Sequence, residues 1–449
     1  MAGAALIASS ALVACTGVAG AFVPDGVRFT EQLQVAPGVE YREFSVPLAH
    51  GVAYGHLLVA DLSDRRVSVD LLHPAAVAGR ETVSRMADDQ GAVGGVNGDF
   101  FDVSEAQHPG VDATGAAVGP AIAAGEVLKA AVPRGQRFGP ALPTGASDQD
   151  VIGVGIDRVA RIDRLSMTGS ITTPHGTLEL RGLNQYALPV GGIGAYTSRW
   201  GRTSRYRAVC GTDHRRADSC STDTHEVTVA HGRVSAVSQT PGSGAIPRDT
   251  VVLVGREAGA EQLRRLRVGD AVHVTHRLAG GADRAPGPLV MAGFSVSGDG
   301  TKTGPLALAL QNLMLREEAN VERQVSAAQH PPLRFAIGGF PILRGGKPVR
   351  GLDDAARAVR TSAGYGPGGH LFYLMALDGD SRARSGMTLR ELAGLMRSIG
   401  SEDAVDLDGG GSSTLVVRTP GGDHVSVRNH PSGGSERPVA DGVGIFVHK

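Results

Sequence analysis

The stretch Val405-Asp406-Leu407-Asp408-Gly409-Gly410-Gly411-Ser412-Ser413-Thr414-Leu415 is the part of this sequence that packing alone explains least. Three consecutive glycines stabilise nothing by themselves, but they let backbone N–H groups approach a ligand closely. An Asp at the carboxyl end of a strand stands where open α/β sheets usually place their ligands. No Gly-Lys-Ser/Thr follows, so this is not a Walker A loop, and the glycine spacing is not that of a dinucleotide site. The competing reading is a tight turn with a capping Asp. Asp378-Gly379-Asp380 also follows an apolar run and begins like a calcium loop. Its fifth and twelfth positions are Arg382 and Leu389, where an EF-hand needs oxygen ligands, so an EF-hand is excluded. Asx-turn residues in a loop would look the same. Asn97-Gly98-Asp99 reads as a hairpin turn, except that Phe100-Phe101 beside it imply burial. Arg344, Arg360 and Thr361 lie in segments rich in apolar residues or glycine. Either arginine could grip a phosphate bidentately, and either could be a surface ion-pair partner.

Strands and helices must position these groups. Val- and Leu-rich runs at 41–46, 53–60, 67–72 and 92–96 read as strands, and 81–88 as a short helix. Between about 155 and 278 the texture changes to short Val-rich runs separated by turns, with one helical pattern at 261–266. Residues 280–288 and 301–305 are linker-like in composition. Beyond residue 333 the pattern returns to strand 371–377, helix 387–399, strand 404–407 and strand 443–447. Thr388 followed by Glu391 three residues later predicts a capping box, and Leu389, Leu392, Ala393, Leu395 and Met396 form the apolar stripe. These patterns predict an α+β or mixed α/β fold. They divide the chain into a signal peptide or anchor (1–23), a site-bearing domain in two parts (24–154 and 325–449), and a β-rich insertion or subdomain (155–324).

The chain has 449 residues, with 44 Lys+Arg against 45 Asp+Glu. That balance gives no reason to expect nucleic-acid binding. A 41% hydrophobic and 20% charged composition belongs to a globular chain. Residues 2–23 carry no charge and include a run of small residues, which predicts export by a signal peptide. Leu12-Val13-Ala14-Cys15 resembles a lipobox, so attachment to the membrane through a lipidated N-terminus is the alternative. The remaining cysteines, Cys210 and Cys220, flank a polar loop, and an even count in an exported chain predicts a disulfide. HExxH, Cys-x-x-Cys, Gly-x-Ser-x-Gly and kinase signatures are absent.

Taken together, the segments resemble the phosphodiester glycosidase family, the uncovering-enzyme-like domains. The matching stretches are Asn97-Gly98-Asp99-Phe100-Phe101, Gly119-Pro120-Ala121-Ile122-Ala123-Ala124-Gly125 and Arg360-Thr361-Ser362-Ala363-Gly364. They continue through Ala376-Leu377-Asp378-Gly379, the helix from Met387, the run from Asp406 to Thr414, and Arg437-Pro438-Val439. The chain departs from the animal enzyme in carrying Asp406 for Asn and Asp99 for Gly, and in its β-rich segment, which is similar to that of bacterial relatives. The resemblance implies hydrolysis of a sugar–O–phosphate linkage in extracellular or cell-envelope glycans. It implies Asp408 or Asp378 as the carboxylate against C1, and Arg360 with Thr361 on the phosphate. Asn97 and Asp99 would then hold sugar hydroxyls, the amides of Gly409, Gly410 and Gly411 the phosphoryl oxygens, and Ser412, Ser413 and Arg344 would line the substrate site. No cofactor is required for such a reaction. A rival phosphodiesterase attacking phosphorus would use Ca²⁺ or Mg²⁺ held by Asp378, Asp380, Asp406 or Asp408. A glycan-binding protein without activity is the second alternative.

Overall fold

The computed structural model describes residues 26–280, 331–379 and 386–448. The N-terminal apolar stretch with Cys15, residues 281–330 and Asp380 lie outside the described residues. In the strand Leu371–Leu377, Phe372, Leu374 and Ala376 enter one hydrophobic core while Tyr373, Met375 and Leu377 enter another. Successive strand side chains point to opposite faces, so a strand covered on both faces must be apolar throughout. This strand is fourth in an eight-stranded sheet, between Gly51–Asp61 and Thr361–Tyr365, with Asp403–Leu407 beyond. All its neighbouring strands pair antiparallel. One face packs on a second, five-stranded sheet ordered Val425–Val427, Leu415–Arg418, Gly94–Asn97, Gly442–Val447 and Val67–Leu72. The other face is covered partly by the helix Leu389–Ser398, whose Leu389, Leu392, Ala393 and Met396 are buried. That helix opens with the capping box of Thr388 and Glu391 that its sequence predicts.

The α+β expectation is corrected by this architecture. The chain is mostly β, 42% strand against 10% helix, with three α-helices among the described residues. Runs apolar at every position suit parallel strands flanked by helices, and periodicity alone cannot separate that case from a sandwich. Here a second sheet supplies one of the covers, and the partners are antiparallel. The Asn97-Gly98 hairpin turn does not form either, since Asn97 ends the strand Gly94–Asn97.

Two further sheets, of five and three strands, are built wholly from residues 166–279. The strand Ala160–Arg164, expected within the β-rich segment, instead pairs with Asp150–Gly155 in a sheet that also holds Ala121–Ala123 and Leu333–Gly338. The β-rich segment grips the loop that follows Asn97. Buried Arg207 meets Glu105 at 2.6 Å, and Glu105 holds His108 Nδ1 at 2.5 Å. His108 Nε2 then donates to the Asp218 carbonyl at 2.9 Å. Asp218 lies between Cys210 and Cys220, which are joined by a disulfide as expected. Closing a loop of this size contributes about 2–4 kcal/mol to stability. The double substitution Cys210→Ser with Cys220→Ser is therefore expected to lower stability by about that amount, read as a lower urea midpoint.

Candidate active site

Strand register decides which side chains meet. Thr361 pairs with both Ala376 and Leu407, so Arg360, Asp378 and Asp408 all sit just past the same edge of the eight-stranded sheet. In the second sheet Asn97 pairs with Gly442, and the Asp408 N–H donates to the Gly98 carbonyl at 2.8 Å, which brings the two sheet ends together. Gly98 must be glycine because a Cβ there would collide with the carboxylate of Asp441 and with Ile337. Arg344 is not part of this gathering. Its strand Phe340–Arg344 runs antiparallel to Asp403–Leu407, with Leu343 opposite Ala404, so Arg344 emerges at the far end beside Asp403.

Asn97 is fully buried, and both the nitrogen and the oxygen of its amide are engaged. Nδ2 donates to the Asp408 carbonyl at 2.6 Å, while Oδ1 accepts from Thr361 Oγ1 at 2.9 Å and from the Thr414 N–H at 3.0 Å. Ser413 Oγ lies 3.0 Å from Thr361 Oγ1. Asp99 is also buried, receiving the N–H groups of Phe100 and Gly119, beside Asp441 and the buried Lys129. Burial pushes both Asp99 and Asp441 upward, and the charge of Asp99 raises Asp441 further. The sequence expectation had Asn97 and Asp99 on sugar hydroxyls and Thr361 on phosphate; the folded chain turns all three inward, because they join the sheets. Arg360 is similarly buried, donating through Nε to Met387 O and through Nη2 to Ala356 O, both at 3.0 Å. Its Nη1 stands 3.7 Å from Asp406 Oδ2.

The groups facing outward are different ones. Asp408, Gly409, Gly410 and Gly411 are half-buried, with Gly410 at φ +59°, a conformation that favours glycine, and open space where a Cβ would be. Gly409 N–H donates to Asp408 Oδ1 and Gly410 N–H to the Val359 carbonyl. Of the three glycine amides, that of Gly411 alone has no turn acceptor among the described residues. Arg437 lies against Gly411, its Nη1 3.4 Å from Ser412 Oγ. Its charge, with hydrogen bonds from Ser412 and Gly409, opposes the effect of burial on Asp408, which still carries the carboxyl up to about 7. Asp406 is wholly buried, neither oxygen has a hydrogen-bond partner among the described residues, and it too is pushed up to about 7.

Asp378 behaves in the opposite way. Burial would raise it, but His56 Nε2 at 3.1 Å, the His430 N–H at 2.7 Å and His430 Nδ1 at 3.2 Å all meet its Oδ1. Together they hold the carboxyl down to about 2. His56 in turn contacts the Tyr41 hydroxyl through Nδ1 at 2.8 Å. His430 reads as a loop residue in sequence, and His56 occupies an ordinary strand position; neither carries a local signal of this network. Arg437 lies in one of the stretches that resemble the family, but nothing nearby in sequence marks its charge for the site. Among the described residues only His108, Cys210 and Cys220 bring three ligand-type atoms within 4.8 Å of one another, and there the cysteines are oxidised.

Two sheet ends thus meet at a carboxylate beside a glycine turn and an arginine, groups that can hold an anion. Residues 268–446 match the model of the phosphodiester glycosidase family. No curated protein matches the sequence. A hypothetical protein from Synechocystis shares the fold at 18% identity and TM-score 0.62, over 94% of this chain and 64% of that one. This chain therefore spans less than two thirds of that protein's length. A protein of Burkholderia pseudomallei described as a candidate exported protein shares it at 19% identity and TM-score 0.64, over 95% and 98%. The catalytic domain of zebrafish N-acetylglucosamine-1-phosphodiester alpha-N-acetylglucosaminidase, auto-inhibited by its pro-peptide, aligns at 14% identity and TM-score 0.41, over 94% and 87%.

The carboxyl values set a pH dependence of stability. With Asp406 and Asp408 titrating near 7 in the folded chain and near 4 unfolded, the folded state holds protons that the unfolded chain has released. Their contribution to stability therefore falls as pH rises from about 4 to about 7, by at most about 1.4 kcal/mol per pH unit for each group. Asp378 has the opposite sign: its contribution is present above about 4 and lost as pH falls toward 2. Asp406→Asn is expected to flatten the decline in melting temperature between pH 5 and pH 8, measured by thermal unfolding of both proteins.

Proposed function

We propose that the chain hydrolyses a glycosyl C1–O–P linkage, releasing a sugar and a phosphomonoester, and that it acts on glycans of the cell envelope or outside the cell. The observation that carries the reading is the half-buried Asp408 beside the Gly409–Gly411 turn, with Arg437 against Gly411 and Ser412, at the junction of the sheets. Breaking C1–O passes through an oxocarbenium-like state, which an adjacent carboxylate stabilises or attacks. The departing group is already a phosphate anion, so proton donation to it is less demanding than for a sugar alkoxide. Arg437 and the Gly411 N–H supply the positive charge and donor that a phosphoryl group needs. Asp408 titrates near 7 and is ionised in a substantial fraction of molecules at neutral pH. Arg360, buried against Asp406, supports the pocket floor in this scheme.

Hydrolysis in oxygen-18 water tests the bond that breaks. Label is expected in the sugar. Label in the phosphate would instead mean attack at phosphorus, and binding of glycans without turnover of any glycosyl phosphodiester would mean a binding protein. Asp408→Asn should lower kcat by about 10²-fold or more in the same assay, in line with loss of a group acting in the transition state.

A further inference from the structure

We propose that His430 is a catalytic residue of this site, the base that takes a proton from the attacking water, with Asp378, His56 and Tyr41 as its positioning residues. The inference rests on the glycosidase reading above and assigns a part of the reaction that Asp408 does not perform.

The argument begins from hydrogen-bond direction. An ionised carboxylate can only accept, so both imidazoles that meet Asp378 Oδ1 must do so through N–H groups. His56 then carries its proton on Nε2, and its Nδ1, when neutral, accepts from the Tyr41 hydroxyl. His430 carries its proton on Nδ1, so the neutral ring presents the lone pair of Nε2 away from Asp378. Tyr41, His56 and Asp378 are nearly inaccessible to water, at 1%, 3% and 5% exposure, whereas the His430 side chain is 60% exposed. The chain of contacts thus runs from the core and ends on one accessible nitrogen. Asp378 itself is a poor candidate for attack on C1: it is held at low basicity, and one oxygen already receives three donors.

The loop that carries His430 is tied to the glycine-serine turn. Asn429 Nδ2 donates to the Ser413 carbonyl at 2.9 Å, and the Gly379 N–H donates to the His430 carbonyl at 2.7 Å. Ser432 Oγ donates to the Gly410 carbonyl at 3.3 Å. Residues on both sides of His430 are therefore tied to the glycine-serine turn that bears Asp408. Among the described residues, the charged and titratable groups around the ring include Asp378 in contact, His56 and Tyr41 behind it, and Arg428, which lies 5.4 Å from the Tyr41 ring centre. In the step itself the water oxygen bonds to C1 while the C1–O bond to phosphate breaks, its electron pair leaving with the phosphate oxygen. The water proton passes to Nε2 of His430 and from there to solvent.

The test measures methyl glycosyl-1-phosphodiester hydrolysis by the wild-type chain, His430→Ala and His430→Gln, with unfolding midpoints confirming that each is folded. A base of this kind contributes about 10²–10⁴-fold, so both variants should lose about that much kcat with KM within about threefold. Added imidazole should restore part of the activity of His430→Ala, which a purely structural role would not allow. A kcat within about twofold of wild type, or a loss that imidazole leaves unchanged, would overturn the assignment of His430 while leaving the glycosidase reading intact. A wild-type chain inactive on every such diester would overturn both.

Discussion

Two sheets cannot bring their ends together without leaving backbone groups that need partners, and the amide of Asn97 supplies them here. It caps the Asp408 carbonyl, the Thr414 N–H and the Thr361 hydroxyl at once. A buried polar group left without a partner costs about 1–3 kcal/mol, so this one side chain holds three separate chain segments in register. The position of Asp408, and with it the form of the pocket, depends on that joint. The residues doing this work are polar and clustered next to glycines, which makes them look like ligands in a linear sequence.

The carboxylates of the region divide by environment. Asp378 gains donors and becomes a weak base; Asp406 and Asp408 lose solvent faster than they gain donors and become weak acids. Such a separation leaves one carboxylate ionised against two imidazoles while another, beside the glycine turn, titrates near neutrality. The buried cluster of Asp99, Asp441 and Lys129 lies behind them, with Lys129 Nζ donating to the carbonyls of Gly119 and Ala130.

The β-rich segment has a place in the same construction. Through Arg207, Glu105, His108 and the disulfide-closed loop it fixes the chain directly after Asn97 and Asp99. Its Arg216 also donates to the Arg137 carbonyl, and the Arg137 guanidinium packs on the rings of Phe100 and Phe340. An addition that reads as separable in sequence is thus built into the wall beside the site.

Local patterns settled several matters without the fold. The strand Leu371–Leu377 and the capped helix Leu389–Ser398 were legible because apolar spacing and the Thr388–Glu391 pair act within a few residues. The pairing of Cys210 with Cys220 was legible from their number. The glycine run after Asp408 marked a tight turn for the same reason, since its backbone freedom is a property of the residues themselves. The fold class was not legible, because an apolar strand looks alike whether a helix or a second sheet covers it. Nor were the roles within the site: which of Asn97, Thr361 and Arg360 turn inward, and which of His56, His430 and Arg437 join Asp378 and Asp408, follow from strand register. Register is a relation between segments tens to hundreds of residues apart, and only tertiary structure fixes it.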